Sequence, residues 1–85
     1  MDDKTGLFDL SVVKKKLISS TLDEIFDALK ERGYNPVNQI VGYLISGDLG
    51  YISNYKDCRE KLNDFDRAEI IAIILEEYLN KKWDA

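Results

Sequence analysis

The sequence predicts an all-α protein: a compact bundle of about four helices behind a flexible N-terminal arm, with the bundle paired as a homodimer. Three observations predict it. Apolar residues recur at helical spacing, first as Ile18, Leu22, Ile25 and Leu29, then as Val37, Ile40, Val41, Leu44 and Ile45. Helix stops and starts stand between these stripes, at Gly33, Asn35-Pro36 and Gly47. The run Ile70–Leu75 is apolar without a break, so it covers more than one helical face. Three other short helices in an 85-residue chain leave part of that face bare, and a two-fold interface would cover it.

Residues 1–10 (MDDKTGLFDL) are acidic and lack helical periodicity, which predicts an arm tied down at most by Leu7 and Phe8. Residues 11–85 then form a single helical domain. The first helix runs over about Val12 to Arg32, with Phe26 beside its apolar stripe. Ser11 is one candidate cap, and Ser20 followed by Asp23 would cap a later start. Gly33 ends the helix, since the next position often needs a positive φ. Asn35 caps the second helix and Pro36 takes its first position, where no N–H partner is needed. Gly42 inside it costs about 1 kcal/mol relative to alanine, which points to close approach of another backbone. Gly47 stops this helix, Asp48-Leu49-Gly50 turns, and Tyr51 and Ile52 are expected to pin the turn to the core. A third helix follows Ser53 or Asn54 and runs to about Asn63, with Tyr55, Cys58 and Leu62 inward. The fourth begins near Asp66, with Glu69 in the capping-box relation, and continues through Tyr78, Leu79 and Trp83. Isoleucine favours strands, so a buried strand is the alternative for Ile70–Leu75; the length and the Glu76-Glu77 and Lys81-Lys82 flanks favour helix. Ile70, Ile71, Ile74, Leu75 and Tyr78 are the expected dimer face.

Composition narrows the function. A 45% hydrophobic and 33% charged chain is typical of a soluble globular domain. The net charge is −4 and the longest basic run is Lys14-Lys15-Lys16. Nucleic-acid binders usually carry a basic face, so this balance argues against one. No apolar run reaches the roughly 18 residues of a membrane span, and MDDKTG does not resemble a signal peptide. The expectation is a cytoplasmic protein without membrane insertion. Histidine is absent and Cys58 is the only cysteine, so a metal site or an activated nucleophile lacks its usual parts. No cofactor, metal or catalytic residue is expected.

Four local features compete for a functional role. Gly47-Asp48-Leu49-Gly50 fits G-x-x-G, a loop that clamps RNA backbones in one domain class, but Asp48 would repel phosphate and no lysine or arginine accompanies it. Segment 36–62 could form a helix–turn–helix reader presenting Lys56, Arg59 and Lys61, with Asp57 and Glu60 interleaved; a nucleic-acid-binding regulator is thus the second reading. An enzyme would need a carboxylate pair such as Asp48 and Asp57 to meet in a pocket. Lys14–Lys16 read as a solvated first helical turn before they read as a docking site. Thr5 lies on the arm among Asp2, Asp3 and Asp9, where phosphate would add roughly −1.5 to −2 charge. Taken alone, it is one exposed hydroxyl among several.

GYNPVNQIVGYLISGD, the YI at Tyr51-Ile52 and DCR at Asp57–Arg59 together resemble the IreB family of small regulatory phosphoproteins from low-GC Gram-positive bacteria. DKT with Phe8 in the arm, DRAEII and EEYL fit the same family, so the likeness covers nearly the whole chain. The resemblance implies a helical homodimer with no enzymatic activity. It implies a substrate of a transmembrane, cell-wall-sensing Ser/Thr kinase, with a phosphatase that reverses the mark. It further implies a role in cell-envelope stress and intrinsic antibiotic resistance, exerted on a downstream protein. The family's phosphoacceptor is an arm threonine, and Thr5 matches it. Met1–Lys4 hold no second threonine, and Leu49 stands where the family often has proline.

Overall fold

The computed structural model describes residues 11–84. The expected arm, and Thr5 with it, lies outside the described residues. Within them the chain forms α1 (Val12–Glu31), α2 (Pro36–Ser46), α3 (Cys58–Asn63) and α4 (Arg67–Asp84). Two 3-10 turns, Leu49–Tyr51 and Tyr55–Asp57, join α2 to α3. The isoleucine run is helical throughout, so the strand alternative falls.

Local chemistry sets most of these boundaries. Ser11, not Ser20, starts α1: its hydroxyl accepts from the Lys14 N–H at 3.1 Å. At the other end the Tyr34 N–H donates to the Leu29 carbonyl and the Gly33 N–H to that of Lys30, both at 3.0 Å. This is a Schellman stop, and Gly33 supplies its left-handed residue at φ 84°. Asn35 then caps α2, its Oδ1 accepting from the Asn38 N–H at 3.1 Å, with Pro36 in the first position. Gly47 ends α2 at φ 76°. At the start of α4, Glu69 Oε1 accepts from the Asp66 N–H at 3.2 Å, the reciprocal half of a capping box.

The core is one cluster organised around α1. Ile18, Leu22, Ile25, Ala28 and Leu29 make its buried stripe. Ile40 and Tyr43 of α2, Ile52 of the link, Cys58 and Leu62 of α3, and Ile70 and Ile73 of α4 close around it. Helices α2, α3 and α4 each pack on α1. Each fully buried aliphatic side chain contributes about 1.5–3 kcal/mol, so this small set carries most of the stability.

Several sequence expectations need correction. Gly42 admits a side chain, not a backbone: the Tyr51 ring lies on it. Tyr51 therefore braces the turn from outside and stays 54% exposed, while Ile52 alone of that pair enters the core. Of the α2 apolar stripe only Ile40 is buried; Val37, Val41 and Ile45 face out and Tyr43 takes the inward place. Helix α3 starts three residues later than expected, because Lys56 and Asp57 adopt left-handed conformations that interrupt it.

A Cβ at residue 42 would stand 2.5 Å from Tyr51 Cδ1 and 2.9 Å from Cγ. Cγ is near the root of the side chain, so the whole ring must move. Gly42→Ala is expected to lower the thermal midpoint measured by circular dichroism. In a Tyr51→Ala background the same change is expected to stabilise, by about the 1 kcal/mol of helix propensity.

Candidate functional site

The glycine-rich turn after α2 is closed by its own polar groups. The Ser46 hydroxyl donates to the Gly42 carbonyl at 2.7 Å and accepts from the Asp48 N–H at 3.0 Å. Asp48 Oδ1 in turn accepts from the Gly50 N–H at 2.8 Å. Arg67, which sequence reasoning missed, lies over Gly47 and donates from Nη1 to the Leu44 carbonyl at 3.1 Å. That carbonyl belongs to the last turn of α2, where a cation also complements the helix dipole. Gly47, Asp48 and Gly50 thus serve the turn. Asp57, the other carboxylate of the enzymatic reading, is exposed on a separate turn.

The basic residues are mostly engaged within the chain. Lys14 pairs with Glu69 at 2.8 Å and Lys15 with Glu76 at 3.4 Å, both across the α1–α4 contact. Lys61 pairs with Glu24 at 3.2 Å, joining α3 to α1. Lys56 Nζ donates to Glu31 Oε1 at 2.9 Å, and Arg59 Nε to the Ile52 carbonyl at 2.7 Å. All three cations of the helix–turn–helix reading, Lys56, Arg59 and Lys61, therefore have carboxylate or carbonyl partners. A phosphate backbone would have to displace those partners one by one.

Another polar cluster joins the end of α1 to the start of α3. Glu31 takes two donors, Lys56 Nζ on Oε1 and the Tyr55 hydroxyl on Oε2 at 2.8 Å. The Arg32 guanidinium sits 5.2 Å from the centre of the Tyr55 ring. These contacts hold Lys56 (φ 54°) and Asp57 (φ 61°), a left-handed pair that costs about 1–2 kcal/mol per residue. Lys56, followed by the Tyr55 hydroxyl, holds the Glu31 carboxyl below the ordinary glutamate range. The bond to Lys14 does the same for Glu69. Cys58 is enclosed, and burial raises its thiol above the ordinary cysteine range.

Apolar side chains are exposed on α1, α2 and α4. On α4, Ile71, Leu75, Tyr78 and Leu79 are 40%, 56%, 63% and 48% exposed. Ala68, Ile71, Ala72 and Leu75 line a shallow notch there of about 300 Å³, nearly free of polar atoms. Ile74 is half-buried against the core. Ile70, grouped with the partner-facing residues on sequence grounds, belongs to the protomer's own core at 0% exposure. Among the described residues there is no cluster of metal-ligating side chains and no helix long and apolar enough to cross a membrane.

A model of the IreB regulatory phosphoprotein family matches residues 3–80. The chain belongs to the IreB family. The match spans all four helices up to Asn80 and takes in Thr5 of the arm as well. A regulatory phosphoprotein needs no catalytic pocket of its own, only an acceptor for phosphate and a body to carry it. The IreB stretch Gly33–Ile52 supplies that body with caps, a turn and the Tyr51–Gly42 brace.

The two depressed glutamates fix the sign of the acid response. Glu31 and Glu69 bind protons more weakly folded than unfolded. Their contribution is complete above the ordinary glutamate range and is lost as pH falls through the lower folded-state values. The wild-type advantage in melting temperature over a Glu31→Gln/Glu69→Gln variant is expected to hold at neutral pH. It should shrink progressively in acid titrations followed by circular dichroism.

Proposed function

We propose that the chain is a non-enzymatic signalling protein switched by phosphate on Thr5. A transmembrane Ser/Thr kinase that senses the cell wall places the mark, and a partner phosphatase removes it. The protein then acts from the cytoplasm on a downstream protein, in cell-envelope stress and intrinsic antibiotic resistance. The observation that carries this reading is the family match over residues 3–80, which includes Thr5. The physical setting supports it. A kinase needs a hydroxyl on a segment that can extend into its cleft, and Thr5 precedes the first described helix by seven residues. Phosphate there adds roughly −1.5 to −2 charge beside Asp2, Asp3 and Asp9.

In the same reading two copies pair through α4, with Ile71, Ile74, Leu75 and Tyr78 on the shared face. Apolar side chains this exposed along one helix favour a covered state. Pairing would present two arms on one scaffold.

The test is phosphosite mapping by mass spectrometry after incubation with the kinase, for wild type and Thr5→Ala. Phosphate on Thr5 that the variant lacks is the expected result. Labelling of a body residue such as Ser53, with Thr5 unmodified, would overturn the assignment.

A further inference from the structure

A groove follows one side of α1, with α4 as its other wall. Its middle section, about 220 Å³, has Leu22, Phe26, Ile73 and Ile74 for a floor. Leu22 and Ile73 belong to the core, and Phe26 and Ile74 are half-buried against it. Asp23 of α1 and Glu77 of α4 stand on the rim, both exposed, and no lysine or arginine lines this section. The four ion pairs among the described residues leave both carboxylates out. Glu77 accepts one long bond from the Ser19 hydroxyl, at 3.4 Å. The groove continues in both directions. Asp23, Ile73 and Glu77 also line a depression of about 440 Å³ that reaches Lys16, and there Lys15 is held by Glu76. Phe26 also lines a cleft of about 710 Å³ that reaches Tyr34 and Val37 at the start of α2, with Asp27 and Lys30 together on its edge. From Lys16 to Lys30 the groove follows α1 for about 21 Å. Its middle is acid without a counter-ion, and both its ends mix carboxylate with lysine.

We propose that this groove docks a basic, partly apolar segment of a partner protein, with an arginine or lysine of that segment in the middle section. The aliphatic stem of that residue lies on Ile74 and the Phe26 ring, and its charged head stands between Asp23 and Glu77. Two carboxylates over a floor without cations attract such a head and oppose an acidic segment. The apolar floor gains from the hydrocarbon stem, which a hydrated metal ion does not supply. Length favours a chain over a small cation. A path of about 21 Å takes about four turns of helix or about six extended residues, whereas a lone ammonium or guanidinium group occupies only the middle. Leu22, Asp23 and Phe26 belong to α1 and lie outside the α4 face proposed for pairing, which the groove meets only at Ile74. Placing the segment in the downstream protein rests on the reading given under Proposed function; the groove's preference for a basic segment does not.

The test uses the unphosphorylated full chain and three probes. They are an amphipathic leucine–arginine peptide of about four helical turns, its leucine–glutamate counterpart, and spermine as a competitor. Fluorescence anisotropy gives the affinities, and methyl and aromatic NMR locates the site. The arginine peptide is expected to bind and the glutamate peptide to stay free. Shifts are expected at the Ile74 methyls and the Phe26 ring, while the methyls of Ile71 and Leu75 in the α4 notch stay fixed. Asp23→Lys/Glu77→Lys should weaken binding about ten-fold or more. Glu60→Lys/Asp64→Lys makes the same change in net charge at exposed positions that do not line the groove, and should leave affinity within about two-fold. If circular dichroism shows the first variant misfolded, Asp23→Asn/Glu77→Gln takes its place. Equal losses in the two double variants would reduce the effect to net charge and overturn the site. An arginine peptide that stays free, or shifts centred on Ile71 and Leu75, would overturn it as well. Spermine that displaces the peptide at equal concentration would overturn a protein segment as the occupant. Because Thr5 carries no phosphate in this experiment, a kinase that ignores Thr5 would overturn the assignment of the acceptor and leave the docking result standing.

Discussion

Burial of one face of α1 is the constraint on which the rest of the structure depends. Ile18, Ile25 and Leu29 are fully enclosed, and every other helix packs on this stripe. The consequence for α4 is direct. It spends Ile70 and Ile73 on the α1 contact and has no further helix to cover Ile71, Leu75, Tyr78 and Leu79. A surface of that kind is tolerated in a small domain when something covers it part of the time. Three helices around α1 thus leave apolar surface over.

Charge is distributed in the complementary way. Lys14, Lys15, Lys56 and Lys61 each pair with a glutamate on another element. Exposed pairs contribute little stability individually. Their effect here is to engage these four lysines within the chain.

Much of the fold was legible because its signals are local. Ser11, Gly33, Asn35-Pro36, Gly47 and the Asp66–Glu69 box each act within a few residues, and each does what its residue type implies. The failures share the opposite property. Lys56 and Asp57 turn left-handed because Glu31, on a different helix, holds Lys56 and Tyr55, and nothing near residue 56 announces it. Tyr51 finds Gly42, and Arg67 finds the Leu44 carbonyl, across gaps that no periodicity encodes. In Ile70–Leu75 hydrophobicity is saturated, so the pattern could not say that Ile70 points inward and Ile71 outward. The site behaved likewise. The long central block was enough to suggest the family, whereas Thr5 has no physical distinction among the hydroxyls, so the role proposed for it rests on family resemblance alone.

The central claim is that the helical body is a fixed scaffold and the arm is the switch. Amide NMR of the full chain, with and without phosphate on Thr5, tests it most directly. The account predicts perturbations concentrated in residues 1–10 and the residues next to them in the sequence. Amides of the buried α1 stripe at Ile18, Ile25 and Leu29 should not move. Shifts that spread through that stripe would contradict it, because the body itself would then be the element that changes state.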